Sequence, residues 1–353
     1  MDRKQRITKH LSQSGRGVEI GPWFNPIVPK REGYSTLVLD VFEYDELRRR
    51  AQSDPNVPRD KIQDIEPVDL LGSSSELHQL VESAGLAGQL DFIVSSHNVE
   101  HIPDLIRFLQ GCSKALNESG VLSMAVPDKR GCFDFFRPNT SLGDVLEAYR
   151  QERKKPSVGQ MFEHESLYAR QYLNGSPTSG FNVGVDPASI RPSGDLVQGY
   201  ETWLARVEKM PAQYFDVHCW VFSPASFERL LRELRFLGLI DLDLIETESG
   251  PGEFYVHLRR ASGPCTITAE QFSATRLDLL RREQDEACIT ALRYKSAQEG
   301  NEEDKGEVQR LSRECARLRD LVEEYRLSSS WRITAPLRAL ALRSRQMLSR
   351  LHG

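Results

Sequence analysis

The residues of this chain that could perform acid and base chemistry follow predicted strands or lie in irregular, aromatic-rich sequence. A histidine titrates near neutral pH, and a positioned histidine or carboxylate can remove a proton from a reacting hydroxyl. A single histidine more often has a structural role, and an aspartate after a strand also fits a turn cap. The candidates for a general base are His97, His101, Asp128, His164 and His218.

The segment GVEIGPWFNP, residues 17–26, joins an apolar run to an acid and a glycine, as at the start of a nucleotide pocket. Pro22 follows Gly21 directly, and the further glycines of a phosphate-binding loop are missing, which counts against a dinucleotide. Asp40 ends the next apolar run, 21 residues after Glu19. A carboxylate at that position suits hydrogen bonds from two ribose hydroxyls.

Five short apolar runs predict buried, parallel strands that position these residues. They are GVEI at 17, STLVLD at 35, EPVDLL at 66, LDFIVSS at 90 and GVLSMAVP at 120. Between the last two runs, one helical face carries Leu105, Phe108, Leu109, Cys112 and Leu116. Alternating strands and helices predict a doubly wound α/β sheet, with ligand sites at the carboxyl ends of its strands.

The sequence after the fifth run changes character. Residues 129–222 mix glycine, proline and aromatic residues without clear periodicity, which predicts an inserted cap that shapes a substrate pocket. A helix is then predicted from Ser223 to Gly238. LIDLDLIET at 239 and EFYVHLRR at 253 are joined by SGPG and predict an antiparallel hairpin, which would complete a domain over residues 1–262.

The C-terminal part predicts further helices. Over residues 266–327, spacings of 3 and 4 between apolar residues predict a short coiled coil and self-association, or one amphipathic helix lying back on the domain. The spaced residues are Val308, Leu311, Cys315, Leu318, Val322 and Tyr325. Residues 328–353 carry five arginines beside an apolar arc and no acid. That segment suits an anionic membrane surface, a partner or its own protein.

The composition limits the function classes. A net charge of -5 with 27% charged residues gives no general attraction for nucleic acid, so small molecules, glycans or proteins are the expected partners. The six cysteines have no metal-ligand spacing, and no metal site is predicted. Neither a secretory signal nor 18 consecutive uncharged apolar residues are present, which predicts a cytoplasmic protein.

These motifs together resemble the class I S-adenosylmethionine-dependent methyltransferases, over residues 17–126 and 239–260. DFIVSSHNVEHIPD is similar to that family's fourth strand and the helix entry after it, and ALNESGVLSMAVPD to its turn and fifth strand. The resemblance implies a Rossmann-like sheet of five parallel strands followed by an antiparallel pair. It also implies S-adenosylmethionine as cofactor, which has no phosphate and so needs a glycine-rich anion site less than NAD does.

The resemblance further implies roles for particular residues. His101 stands where the family commonly has a histidine that braces a loop. Where Gly72, Ser73 and Ser74 follow Leu71, the family often has an acid near the adenine amine. The implied cofactor-binding residues are Glu19, Gly21, Pro22, Asp40, Leu71, Ser73 and Ser95.

Four further segments resemble bacterial methyltransferase-domain proteins found with surface-polysaccharide enzymes. They are GPWFNPIVPK at 21, CFDFFRP at 132, FEH at 162 and DVHCWVFSPASF at 216, and the tail SSSWRITAPLR resembles endings of glycan-assembly proteins. This likeness implies O-methylation of a sugar or glycan precursor. Two alternatives remain, a non-catalytic adaptor that organises glycan-assembly enzymes and a nucleotide-sugar or NAD-linked enzyme on the same sheet.

Overall fold

The computed structural model of the chain describes residues 1–173, 175–178, 180–209 and 215–299, together with 310, 313, 314 and 317. The chain divides into two units, Met1–Cys288 and Ile289–Gly353. In the second unit, Arg317 pairs with Glu314 one helical turn away. The six apolar residues of the predicted coiled coil and the basic segment 328–353 lie outside the described residues, so both remain predictions.

Seven strands of the first unit form one sheet in the order β3-β2-β1-β4-β5-β10-β9. The strands of the described chain are β1 Arg16–Ile20, β2 Ser35–Asp40, β3 Leu70–Leu71, β4 Leu90–Ser96, β5 Leu116–Pro127, β6 Ala169–Leu173, β7 Ser176–Thr178, β8 Ile190–Pro192, β9 Leu242–Ser249 and β10 Glu253–Arg260. Strands β1 to β5 are parallel, and β10 pairs antiparallel with both β5 and β9. The predicted parallel sheet with an antiparallel pair at its edge is confirmed.

The third strand is shorter than the apolar run at 66 predicts. Its ladder with β2 contains only Leu70 and Leu71. Just before it, the carboxylate of Asp69 accepts the Val38 N–H at 2.8 Å, which takes a donor that a longer strand would use. Pro67 has no N–H to donate to a ladder. Side-chain chemistry, rather than hydrophobicity, therefore sets the start of β3.

Helices cover both faces of the sheet. They are α1 Arg3–Thr8, α2 Tyr44–Ser53, α3 Leu77–Ser83, α4 Leu105–Ala115, α5 Leu142–Arg150, α6 Val158–Leu167, α7 Leu196–Lys209, α8 Pro224–Phe236 and α9 Ala269–Glu299. Leu105, Phe108, Leu109 and Cys112 of the predicted apolar face lie in α4 and are fully buried in the main core, whereas Leu116 is the first residue of β5. On a second core cluster, Ile7 of α1 packs with Phe92 and Tyr255. The sheet is thus buried on both faces, as its continuous apolar strands require.

The region predicted as a cap, residues 129–222, contains regular structure of its own. Helices α5, α6 and α7 accompany a three-stranded antiparallel sheet in the order β7-β6-β8. Its last segment returns to the main sheet, where the Cys219 and Trp220 N–H groups both donate to the carbonyl of Glu100, at 2.7 and 3.2 Å. These bonds fix the end of the region against the segment that follows β4.

The first part of α9 packs on α8 within the first unit. The rings of Phe236 and Phe272 stack with centroids 4.0 Å apart. Arg229 binds Glu283 at 2.9 Å, and the carboxylate of Glu286 accepts the N–H of Ala225 in the first turn of α8. The helical segment therefore packs on the domain at Phe272, Glu283 and Glu286, and both arrangements of the heptad-spaced residues remain predictions.

We expect Gly17→Ala, in β1, to lower the stability of the fold strongly. A Cβ at this position would lie 2.0 to 2.4 Å from three atoms of the fully buried Phe92 ring. Overpacking of this kind costs about 1 to 3 kcal/mol, or more where the neighbour cannot move. Urea denaturation measures the loss, with Gly263→Ala, which meets no atom within 4 Å, as the control. Equal unfolding midpoints for the two variants would contradict the close contact.

Candidate active site

The carboxyl ends of the parallel strands bring most of the predicted cofactor-binding residues to one edge of the sheet. Ile20 is paired with Leu39 on one side and with Ser95 on the other, and Asp40 is paired with Leu71. Gly21, directly after β1, donates its N–H to Leu39 at 2.8 Å. The structure thus places Gly21, Asp40, Leu71 and Ser95 in adjacent positions, at the edge where ligands bind in such sheets.

Glu19 binds the backbone of the loop that follows β1. Its two carboxylate oxygens accept the N–H groups of Ile27 and Val28, at 2.6 and 3.0 Å. The side chain is 2% exposed, and this burial raises its pKa to about 7 even though both N–H groups favour the charged form. Glu19 therefore fixes the conformation of the loop from Gly21 to Val28 through these two hydrogen bonds.

The backbone of this loop is accessible at Gly21. This residue has a φ of +57°, and a Cβ built on it would meet no atom within 4 Å, so open space lies beside the backbone. Pro22 is half-buried, and Trp23 packs against the buried cluster that contains Leu47 and Ala51 of α2. A ligand can therefore approach the main chain closely at Gly21.

Asp40 and the residues after β3 and β4 offer polar groups next to this space. The Oδ1 atom of Asp40, which is 7% exposed, accepts the Phe42 N–H at 3.0 Å, and burial raises its pKa. A carboxylate has about four acceptor positions, so most of its capacity is left for a ligand. Ser73 caps a short helix by accepting the Ser75 N–H at 3.2 Å. Leu71 is 49% exposed and presents an apolar surface beside Asp40.

A hydrogen-bonded chain joins the ends of β3 and β4. Ser74 donates to the amide oxygen of Asn98 at 3.3 Å, and the amide nitrogen of Asn98 donates to Ser95 at 3.1 Å. Sequence reasoning included Ser95 but missed Asn98. Its position two residues after the fourth apolar run was the available signal.

The raised pKa of Glu19 gives a pH-dependent contribution to stability. Its pKa is about 7 in the folded chain against an ordinary 4.5, so the folded state holds a proton that the unfolded state has lost between those values. Stability from this group therefore falls as pH rises from about 4.5 to about 7, by at most about 1.4 kcal/mol per pH unit, and is constant above. Because other groups, such as His164, also titrate in this range, the quantity to measure by urea unfolding is the difference in unfolding free energy between the native chain and Glu19→Gln, which should fall as pH rises from about 4.5 to about 7. Parallel pH profiles for the two proteins would contradict the assignment.

A second group of residues surrounds the carboxylate of Glu100, which is completely buried. One oxygen, Oε1, lies 3.7 Å from His97 Nδ1, 3.9 Å from His101 Nε2 and 4.0 Å from His218 Nε2. Neither oxygen of Glu100 has a hydrogen-bond partner. The structure thus brings together three of the five predicted bases, including His218 from the far end of the cap region.

The opposite nitrogen of each of these histidines lies next to another carboxylate. His97 Nε2 is 2.7 Å from Glu253, His101 Nδ1 is 2.8 Å from Asp216, and His218 Nδ1 is 2.5 Å from Asp134. The His101 contact has the length of an ion pair without the angles of a hydrogen bond. Burial lowers the pKa of His97 and of His101, but the surrounding carboxylates outweigh it, so both pKa values are raised.

The other two predicted bases have different surroundings. Asp128 is 1% exposed and its carboxylate is occupied by Arg130, whose backbone N–H and guanidinium donate to it at 2.5 to 3.0 Å. Asp128 therefore fits the role of a turn cap, which was the alternative to a general base in the sequence analysis. His164 packs edge-on against Phe133 and Tyr168, and burial together with Arg137 lowers its pKa to about 4. Neither residue contacts Glu100.

The Asp134 carboxylate that holds His218 is itself held by a buried arginine. Arg137 and Asp134 are 1% and 2% exposed, and Arg137 Nη1 lies 2.7 Å from Asp134 Oδ1. Burial raises the pKa of Asp134, but His218 and Arg137 lower it further, so that the net shift is downward. The orientation of His218 therefore depends on an ion pair at the entrance of the cap region.

A cavity of about 440 Å³ lies elsewhere in the first unit. Its wall includes Arg137, Glu147, Arg153, Gln160 and Trp220, together with neighbouring residues of α5 and α6. None of the predicted cofactor-binding residues or bases lines it. The predicted site is thus defined by the strand edge and the Glu100 group, not by this cavity.

Comparison with known protein families identifies the family of the chain. A family model described as a methyltransferase domain matches residues 2–238. The chain belongs to this methyltransferase-domain family. No curated protein matched the sequence. Methyl transfer is the activity that this membership supports, with S-adenosylmethionine as the expected cofactor.

Solved structures of low sequence identity were also found. An S-adenosylmethionine-dependent methyltransferase from Methanosarcina mazei is 12% identical, with a TM-score of 0.35 over 72% of this chain and 96% of that one. One from Mesorhizobium loti is 12% identical, with a TM-score of 0.35 over 72% and 95%. Membership of the family rests on the domain model, which agrees with the observed strand order. Among the described residues, no helix combines the length and apolar character needed to span a bilayer.

Proposed function

We propose that the chain is an S-adenosylmethionine-dependent methyltransferase that methylates a hydroxyl of a sugar or glycan precursor. The observation that carries the proposal is the arrangement at one sheet edge of Gly21, with open space beside it, and the Asp40 carboxylate. A second observation is the group of histidines around Glu100 that follows β4. Together they supply a nucleoside site and groups that can accept a proton.

The residues present fit the cofactor. Asp40 would accept hydrogen bonds from the ribose hydroxyls, and the bare backbone at Gly21 would lie against the amino-acid part. The exposed side chain of Leu71 would cover one face of the adenine, with Ser73 and Asn98 as polar neighbours. When bound, the cofactor supplies an electrophilic methyl group on a sulfonium. The missing phosphate-binding glycines are no obstacle because this cofactor has no phosphate.

The chain's own part in the reaction is to orient the acceptor and to take its proton. An in-line displacement depends mainly on positioning, with a smaller contribution from a base. Of the three histidines around Glu100, His97 has the most exposed side chain, at 48%, against 28% for His101 and 8% for His218. It directly follows β4 with a φ of +49°, a strained conformation for a residue with a Cβ. We therefore assign the proton-accepting role to His97.

A hydroxyl acceptor of sugar type is supported by the chemistry beside the histidines. Phe133 and Tyr168 stack with their rings 4.6 Å apart, and the Phe133 ring lies 4.5 Å from His218. Aromatic faces next to several hydrogen-bonding groups suit a polar ring with apolar faces. The resemblance of the cap segments to proteins found with surface-polysaccharide enzymes points the same way.

The second candidate is a non-catalytic adaptor. The single proline-rich loop in place of a glycine-rich one favours it, as does the long segment after residue 262 with its heptad-spaced residues. On that view the domain binds the cofactor without consuming it, and the C-terminal segment binds partners. Peripheral contact with a membrane through residues 328–353 and self-association through the heptads belong to this proposal as well.

Both candidates require that the chain binds S-adenosylmethionine. Calorimetric titration of the purified full chain with this cofactor tests that binding. Saturable binding is expected, and its absence would reject the enzyme proposal. Release of S-adenosylhomocysteine is then followed with nucleotide sugars and with lipid-linked oligosaccharides as acceptors. Acceptor-dependent release that is lost in His97→Ala, with cofactor binding intact, supports the enzyme. Binding without release for any acceptor supports the adaptor.

A further inference from the structure

We propose that Glu100, His101 and His218 form a binding site for one divalent transition-metal ion, with zinc as the reference ion. The ligand atoms are one carboxylate oxygen and the Nε2 atoms of the two histidines, which lie within 4.8 Å of one another. The site is separate from the proposed cofactor edge, and it does not depend on methyl transfer being the activity. Nothing in the sequence spacing predicts it.

The first step of the argument is the state of Glu100. Its side chain is 0% exposed, and both oxygens lack a hydrogen-bond donor. Among the residues that the structure describes, no lysine or arginine pairs with it. A buried carboxylate without a partner is strongly unfavourable, and native proteins resolve such cases with a donor, a proton or a cation. Two sources of positive charge can compensate Glu100, protonation of the histidines within 4.0 Å of it or a metal ion bound between them.

The second step is the spacing of the atoms around that carboxylate. The Nε2 atoms of His101 and His218 lie 3.9 and 4.0 Å from Glu100 Oε1, which is too long for hydrogen bonds. Bonds of about 2.1 Å to a tetrahedral ion separate two ligand atoms by about 3.4 Å. The two distances to Glu100 exceed this separation by about half an ångström, and the two histidine atoms, which lie within 4.8 Å of each other, would have to approach by up to about 1.4 Å when an ion binds.

The third step is the protonation pattern that the outer carboxylates impose. The Nδ1 atom of His218 is hydrogen-bonded to Asp134 at 2.5 Å, whereas that of His101 lies 2.8 Å from the Asp216 carboxylate without the angles of a hydrogen bond. A neutral imidazole with its proton on Nδ1 has a lone pair on Nε2, the atom that faces Glu100. Carboxylates behind the ligating histidines are the usual support of metal sites, because they fix the tautomer and increase ligand basicity.

The backbone holds these ligands in place before any ion binds. The Cys219 and Trp220 N–H groups donate to the Glu100 carbonyl, and the Trp220 ring nitrogen donates to the Ile102 carbonyl at 2.5 Å. The two histidine rings meet edge to face with centroids 4.7 Å apart. His101 is 28% exposed, so the group can be reached from solvent on that side. Two imidazoles and one carboxylate select zinc, iron or cobalt rather than magnesium or calcium.

A second group of similar composition, His10, Glu246 and His257, provides a contrast. There the Glu246 carboxylate is already neutralised by Lys9 at 2.7 Å and contacts His10 at 2.6 Å. The Nδ1 atom of His257 is bound to Ser123. Because a cation already occupies its carboxylate, this group is not proposed as a site, and it supplies a matched control.

The test uses the full chain, stripped of metal with a chelator, and titrates it with Zn²⁺ by calorimetry and with Co²⁺ by visible absorption. We expect one ion per chain and a Co²⁺ spectrum of low coordination number with nitrogen and oxygen ligands. His218→Ala and Glu100→Gln should abolish stoichiometric binding, whereas His10→Ala should retain it. Thermal unfolding monitors whether each variant is folded.

Asp216→Asn provides a second test of Zn²⁺ binding if His218→Ala or Glu100→Gln fails to fold. The Asp216 side chain is 71% exposed, so its replacement leaves the core unchanged, and it is expected to weaken Zn²⁺ binding about 10- to 100-fold through His101. No stoichiometric binding at micromolar Zn²⁺ by the native chain would overturn the proposal, since protonated histidines would then neutralise Glu100. Binding lost in His10→Ala but kept in Asp216→Asn and His218→Ala would overturn it too.

Discussion

Asp40→Ala is expected to lower the affinity for S-adenosylmethionine about 100-fold or more. The carboxylate would accept hydrogen bonds from two ribose hydroxyls, and bonds to a charged group contribute about 1.5 to 3 kcal/mol each. Asp40 lies at the carboxyl end of β2, directly beside the turn at Gly21. Calorimetric titration of the native chain and the variant measures the change, with the exposed Asp45→Ala in α2 as the control.

Asp40→Asn separates binding from folding. The amide oxygen can still accept the Phe42 N–H, which Asp40 Oδ1 accepts at 3.0 Å, so the local turn should be preserved. The variant loses the charge and one of the two acceptors for the ribose. We therefore expect near-native stability with clearly weaker binding. If the native chain binds the cofactor and neither variant differs from it, the ribose contact belongs to another residue.

Arg137→Met is expected to produce the largest loss of stability, about 3 to 5 kcal/mol, because it leaves the buried Asp134 carboxylate without its cation. The two side chains are 1% and 2% exposed, and their charged atoms are 2.7 Å apart. The same carboxylate holds His218, so the variant should also disturb the group around Glu100. Chemical denaturation gives the free energy of unfolding.

The chain contains a closely matched control for this ion pair. Arg49 and Glu46 have the same sequence separation and the same 2.7 Å distance, but Arg49 is 67% exposed. Arg49→Met should leave the midpoint of unfolding nearly unchanged, since exposed pairs contribute little to stability. Arg137→Met combined with Asp134→Asn should cost less than the sum of the single changes. Similar losses for Arg137→Met and Arg49→Met would show that burial does not govern the pair.

Much of the fold and of the cofactor edge could be predicted from sequence because the signals are local. Continuous apolar runs predict buried strands, and the spacing of Leu105, Phe108 and Leu109 predicts a helical face that is fully buried. Residues directly after parallel strands must meet at one edge, which is why Gly21 and Asp40 are neighbours. The sequence does not show that Glu19 accepts the N–H groups of Ile27 and Val28, since an acid before a glycine gives no sign of these contacts, and its part in cofactor binding stays a prediction.

Only the tertiary structure decided the surroundings of Glu100. The sequence shows Glu100 and His101 side by side, but the third ligand, His218, stands more than a hundred residues further on, beyond the cap region. No periodicity encodes that return, because it depends on how α5, α6 and the small sheet pack and on the bonds from Cys219 and Trp220 to the Glu100 carbonyl. Local patterns determine strands, helices and the residues at their ends. Contacts between segments distant in sequence determine which of those residues share a site.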